Sequence, residues 1–258
     1  MKKMIMALPL MLALHSLAQT SFQQTNEKFK NGEYVWELQN DGERVGEFWP
    51  VHGLNLVTKD LNPSAFNGTD IQTIQQSLKG VATAPDGMTT GSYGSYQLQG
   101  RCLSRGKTCG DGSVYEYGII AVSPNGFAIE FTHKNEIKNF DSFYAERKRA
   151  GGTIFFLPSV YRNGTYLSSQ RTIDKVFIRR TTPTGIQIGV VIFDELVTYD
   201  RAREIITGLD RNGKSSTTHI YVLDGGPRWG QSCKEVNGEA KLVGTRNPNV
   251  VTNYLVFY

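Results

Sequence analysis

Cysteine and histidine are scarce in this chain, with three of the first and four of the second among 258 residues. Cys102, Cys109 and Cys233 fit no zinc-ligand spacing, which removes a structural zinc module. His15 falls in the leader, His52 and His133 have no partner at ligand spacing, and His219 stands alone on a strand. No metal site is expected, leaving only a hard cation on an acidic loop as a route to one. Runs of lysine or arginine are also missing. The formal charge of +4 includes Lys2 and Lys3, so no nucleic-acid partner is expected. After Leu14 no apolar stretch approaches the length that spans a bilayer. There is no internal repeat and no linker that would divide the chain.

What the N-terminus does contain is a three-part leader. Lys2 and Lys3 precede an apolar stretch from Met4 to Leu14, and Ser16-Leu17-Ala18 supplies small residues before a cut. This predicts a signal peptide over 1–18 and one domain over 19–258. The expected destination is the periplasm or the exterior, with no stable membrane anchor after cleavage; an uncleaved anchor is the alternative. No cysteine follows the cut, which argues against a lipoprotein. In an oxidising compartment Cys102 and Cys109, bracketing a short polar loop, are expected to form a disulfide. Cys233 is then a buried thiol, since a nucleophile would need a base and a lowered pKa.

Twenty-seven glycines, 12 tyrosines and 13 phenylalanines suit many short strands and tight turns. Residues 19–32 read as a polar lead-in. Tyr34–Leu38 and Arg44–Phe48 flank Asn40-Asp41-Gly42 as a hairpin, and His52–Thr58 reads as a strand. Ile71, Ile74 and Leu78 have helical spacing, capped by Asp70 and stopped by Gly80. A turn-rich stretch from Val81 to Gly100 follows. Further hairpins are predicted around Asn125-Gly126, Asn163-Gly164 and Pro183-Thr184-Gly185, and the apolar run Ile186–Phe193 belongs at a sheet centre. Helices are predicted over Asn139–Ala150 and Asp200–Leu209, the second capped by Thr198 or Asp200. Val250–Tyr258 reads as a paired strand. Many strands with few scattered helices predict an α+β fold: a mixed, largely antiparallel sheet core with peripheral helices.

The run Ile220–Leu223 stops at Asp224-Gly225-Gly226. A buried strand can deliver a carboxylate this way, and paired glycines let a ligand approach the backbone. Asp-Gly is equally a hairpin signal, so both readings stand on this stretch alone.

Over residues 115–258 the order of phrases resembles the phosphodiester glycosidase family. The phrases are LPSVYRNGTY (Leu157–Tyr166), the arginine-bearing Phe177–Phe193, the helix Asp200–Leu209, YVLDGG (Tyr221–Gly226) and GTRNPNVVTNYLVF (Gly244–Phe257). Upstream, Thr90-Gly91-Ser92-Tyr93 stands where the family has an Asn-Gly-Gly-Phe-Phe phrase. Two departures are Thr90 itself and Pro227-Arg228, where the family continues with Gly-Ser.

The resemblance implies a hydrolase of glycosidic phosphodiesters acting on a glycan or sugar phosphate, with no cofactor. Asp224 would serve as nucleophile or as general base toward water, and an arginine fork would hold the phosphate. Arg179 and Arg180 point to opposite faces of their strand; Arg180 is assigned to catalysis. Gly225, Gly226, Arg179, Arg246, Gly91 and Arg228 are assigned to substrate binding. A second carboxylate is usual in glycoside hydrolysis, and Asp194, Glu195 and Glu130 are the candidates. The alternative is a non-catalytic protein of the same fold that binds glycan or sugar phosphate. A third reading is an envelope protein that binds a partner.

Overall fold

The computed structural model describes residues 19–63, 71, 74, 86–90, 98, 100–114, 118–223, 232–243 and 253–258. The chain opens with β1 (Thr20–Lys28), β2 (Tyr34–Asn40), β3 (Glu43–Pro50) and β4 (Leu54–Thr58). Next come β5 (Gly87–Thr90), β6 (Cys102–Ser104), β7 (Lys107–Cys109), β8 (Gly118–Val122) and β9 (Ile129–His133), then helix α1 (Phe140–Ala150). The strands β10 (Thr153–Leu157), β11 (Ser159–Arg162), β12 (Thr165–Tyr166), β13 (Thr172–Thr182) and β14 (Gly185–Thr198) lead to helix α2 (Tyr199–Gly208). The order ends with β15 (Ser216–Val222), β16 (Ser232–Val236), β17 (Glu239–Val243) and β18 (Asn253–Phe257).

These strands make three sheets. An eight-stranded sheet runs β1-β2-β3-β14-β13-β15-β11-β12; two five-stranded sheets run β7-β6-β10-β8-β9 and β17-β16-β5-β18-β4. The fold is therefore α+β with a largely antiparallel β core, as the sequence predicts. The first sheet buries apolar side chains on both faces, which explains why the middle of β14 reads as a near-continuous hydrophobic run. One face, through Phe177, Ile192 and Tyr221, packs on Ile120, Phe155 and Leu157 of the second sheet and Leu255 and Phe257 of the third. The other face, through Val176, Ile178, Val191 and Val222, lies under Ala202, Ile205 and Ile206 of α2.

Local signals act as expected at most turns. Asp41 and Gly42 both have positive φ, at 56° and 83°, the geometry of a two-residue hairpin between β2 and β3. Asn139 caps α1 by accepting from Ser142 N at 3.0 Å, and Thr198 caps α2 by accepting from Arg201 N at 3.2 Å. Ile71 and Ile74 are helical and buried; the rest of that predicted helix lies outside the described residues. The C-terminal strand β18 is held between β4 and β5. Among the described residues, no helix is long and apolar enough to cross a membrane.

Two expectations are corrected. Residues 20–28 form an edge strand rather than a loose lead-in, because backbone pairing from Thr20–Asn40 to Gln24–Trp36 supplies what its polar side chains do not. Its far end is also fixed by charge. Lys234, buried between Glu27 and Glu47, ties β1 and β3 to β16, while Lys241 reaches Glu27 at 2.7 Å. The second correction concerns Cys102 and Cys109. They are direct cross-strand partners, but both are free thiols and no disulfide closes the loop. Burial, then the hydrogen bond with Cys109, pushes the Cys102 thiol well above its usual pKa.

Candidate active site

Residues 224–231, 91–97 and 244–252 lie outside the described residues, and with them Asp224, Gly225, Gly226, Arg228, Gly91 and Arg246. The strand ends from which those segments continue are described. Thr90 pairs with Tyr254, while Ser232 pairs with both Thr89 and Val243. The ends of β5, β16, β17 and β18 therefore lie together at one end of the third sheet. That end is polar although buried: Thr89 and Ser232 share a hydrogen bond at 2.8 Å.

The strand leading to Asp224 ends against β13 and β11. Leu223 N donates to Lys175 O at 3.3 Å, and Val222 N donates to Pro158 O at 2.8 Å. Here the sheet is irregular. Ile173 faces Val197 but Lys175 faces Ile192, so β14 bulges opposite Asp174. Bulges of this kind terminate pairing and re-aim side chains, often beside active sites. Lys175 is fully buried and Asp174 is 3% exposed. Asp174 and Lys175 thus place two ionisable side chains next to each other in the interior near the strand end, where such groups need polar or charged partners. The signal in the sequence is a charged pair at the edge of the apolar run Val176–Ile178.

Beside this end lies a cleft of about 320 Å3, walled by Pro158, Ser159, Arg162, Tyr166 and His133. Its residues come from the LPSVYRNGTY phrase and the end of β9. The Arg162 guanidinium donates to Glu136 Oε1 at 3.0 Å, and Glu136 Oε2 accepts from His133 N at 3.0 Å. Arginine carries five N–H donors, so one such bond leaves others for a ligand. His133 Nδ1 accepts from Asn135 N at 3.2 Å, which places the proton of the neutral ring on Nε2. Tyr166 is 55% exposed, and the Arg203 guanidinium stacks 3.9 Å from its ring centre.

The two arginines picked from the sequence sit elsewhere on β13. Arg180 pairs with Thr217, and Arg179 with His219. Roughly 20 Å of strand separates Thr217 from Leu223, so the structure does not bring Arg180 to the end of β15. Its guanidinium is committed under α2, donating to Asp210 Oδ1 at 3.0 Å, Leu209 O at 3.2 Å and Gln187 Oε1 at 3.1 Å. Arg179 donates to Thr218 Oγ1 at 3.0 Å on the opposite face. Beside it His219 is pushed down to about 4 by burial, with the Arg179 charge adding to the effect. Of the candidate second carboxylates, Asp194 is bound by Arg44 at 2.9 and 3.2 Å, and Glu130 by Arg147 at 2.7 Å, all at exposed positions. Glu195 is exposed on the bulge. Among the described residues no group of three or more potential ligands could hold a metal ion.

No protein-family model matches the chain, and neither does any curated protein sequence. A solved structure does. It is the catalytic domain of zebrafish N-acetylglucosamine-1-phosphodiester alpha-N-acetylglucosaminidase, auto-inhibited by pro-peptide, with a TM-score of 0.53 over 95% of this chain and 85% of that one. The two share a fold. At 11% identity the likeness speaks to architecture, and that architecture is one on which a phosphodiester glycosidase is built. The resemblance read from the order of phrases thus has a three-dimensional counterpart across nearly the whole chain.

Proposed function

We propose that this chain is an exported hydrolase of glycosidic phosphodiesters, releasing a free sugar and a phosphomonoester. The observation that carries this reading is the end of β15: the strand that runs into Asp224 stops beside the buried Lys175 at a sheet bulge, in a fold that a hydrolase uses. In the reaction the anomeric C–O bond breaks, the phosphate oxygen takes the bonding electrons, and a water oxygen ends on the sugar. Asp224 acts as nucleophile or as base toward that water. A phosphomonoester is a good leaving group, so its protonation matters less than in an ordinary glycosidase. Lys175 supplies positive charge where charge develops on the phosphate. Arg162 and Tyr166 hold the part of the substrate that enters the cleft. Gly91, Gly225, Gly226, Arg228 and Arg246 belong to segments continuing from neighbouring strand ends and complete the substrate site. Arg179 and Arg180 act from behind, as framework.

Export follows from removal of residues 1–18 as a signal peptide. Intact mass of protein recovered from the periplasm, lighter by residues 1–18, is the expected observation.

The activity is tested with a synthetic N-acetylglucosamine-1-phosphoalkyl ester, following free sugar and alkyl phosphate together. Asp224→Asn should lower kcat at least about a thousandfold, and Lys175→Met should lower it with the fold retained by circular dichroism. Full activity in a folded Asp224→Asn variant would sink the assignment. Pro227-Arg228, where the family has Gly-Ser, favours one competing reading: the same site binding sugar phosphate without turnover. Saturable binding of N-acetylglucosamine-1-phosphate with no product after long incubation would establish that reading instead.

A further inference from the structure

A second cleft, of about 470 Å3, opens at the other end of the first sheet, near the β13–β14 turn. Its apolar lining includes Trp36, Phe127 and Ile186, and the last two are 60% and 61% exposed. Phe127 is braced rather than loose: its N donates to Asn125 Oδ1 at 3.1 Å, and its ring meets Tyr258 edge-on with centres 5.5 Å apart. His52 Nε2 lies 3.0 Å from Glu33 Oε1, and neither lysine nor arginine lines the cleft. One polar group is held in advance. Gln187 faces Arg180, which has donors only, so the atom at 3.1 Å must be the amide oxygen. Nε2 is thereby left to donate to a ligand. Arg180 is itself 4% exposed and anchored by Asp210 and Leu209, so this orientation is fixed from the interior.

We infer that this cleft binds one or two rings of a neutral oligosaccharide. A pyranose presents an apolar C–H face and equatorial hydroxyls, matching the exposed Phe127 ring beside a fixed amide and the polar His52–Glu33 pair. Phosphate or another anion finds neither lysine nor arginine in the lining, and the volume is that of a small-ligand site. The site is independent of the hydrolase reading. Between Val176, at the β15 end, and Thr182 at the turn run roughly 20 Å of strand, so occupancy of one cleft leaves the other open.

The test is calorimetric titration of the full chain with maltotetraose and with the β-1,4-linked N-acetylglucosamine tetramer. At least one should bind in the millimolar range or tighter. Phe127→Ser, at an exposed position, should weaken binding about tenfold. Gln187→Glu keeps the oxygen that Arg180 needs and removes only the donor, and should weaken binding about fivefold with melting unchanged or raised. Turnover of the phosphodiester substrate should be the same in both variants. No heat with either tetramer, or binding that both variants retain in full, overturns the assignment. So does a concentration-dependent dimer, seen by sedimentation, that Phe127→Ser abolishes, since the cleft would then be a face for a second copy.

Discussion

Removing the ammonium of Lys234 should be among the most damaging single changes away from the candidate site. Lys234 is 2% exposed, and its Nζ lies between Glu27 and Glu47, at 2.6 Å from Glu47 Oε2. That same oxygen accepts from Trp49 Nε1 at 2.8 Å. In Lys234→Met the two carboxylates lose their shared cation unequally. Glu27 keeps Lys241, and its side chain is 25% exposed, so its loss is worth at most about 1 kcal/mol. Glu47, at 10%, is left in the interior with Trp49 and with Arg44 at 3.1 Å. Breaking a buried pair by removing one partner costs about 3–5 kcal/mol, and the remaining Arg44 contact puts this case near 3. For about 240 residues that corresponds to a fall in Tm of roughly 6–12 °C. The double variant Lys234→Met/Glu47→Gln should recover much of it, because the orphaned charge is gone. Thermal unfolding of parent, both single variants and the double decides the matter. A Lys234→Met protein melting within about 2 °C of the parent, or a double variant as unstable as the sum of its parts, would refute the reasoning.

Two further outcomes follow. His219 has a folded pKa near 4 against a usual 6.5, so between those values the unfolded chain binds a proton that the folded one refuses. Stability should therefore be complete above pH 6.5 and fall by up to about 3 kcal/mol as pH drops to 4; urea midpoints of parent and His219→Gln should converge across that window, and parallel curves would exclude His219. Gly118 has no room for a methyl group: a Cβ there would lie 2.5 Å from the Tyr221 ring, whose hydroxyl is held by Thr132 O at 3.0 Å. Gly118→Ala should cost about 1–3 kcal/mol, measurable as a lower urea midpoint with an unchanged slope, and a neutral effect would mean the ring moves freely.

The elements most legible in the sequence were those with local chemistry. Asn40-Asp41-Gly42 gave its hairpin, Thr198 gave its cap, and the apolar run from Ile186 to Phe193 gave a central strand. What stayed hidden depends on partners far along the chain. β1, with Gln23-Gln24-Thr25-Asn26, has no apolar alternation, and only its pairing with β2 and the reach of Lys234 make it a strand. The faces of Arg179 and Arg180 could be told apart by alternation. Which face α2 covers could not, and that decided the environment of Arg180. Lys175 went unnoticed for a related reason. A charged residue at the edge of an apolar run normally marks where a strand surfaces, whereas here neighbours on both sides and a bulge bury it.

The sheet order also sets a timetable. β3 waits for β14, pairing Gly46 with Phe193, and β4 waits for β18, pairing Thr58 with Asn253. Neither partner exists when the first sixty residues are made, so among their strands only β1, β2 and β3 can pair early. Pairing over such sequence distances is slow. A topology that withholds the partners of β3 and β4 leaves both strands open until most of the chain has been made.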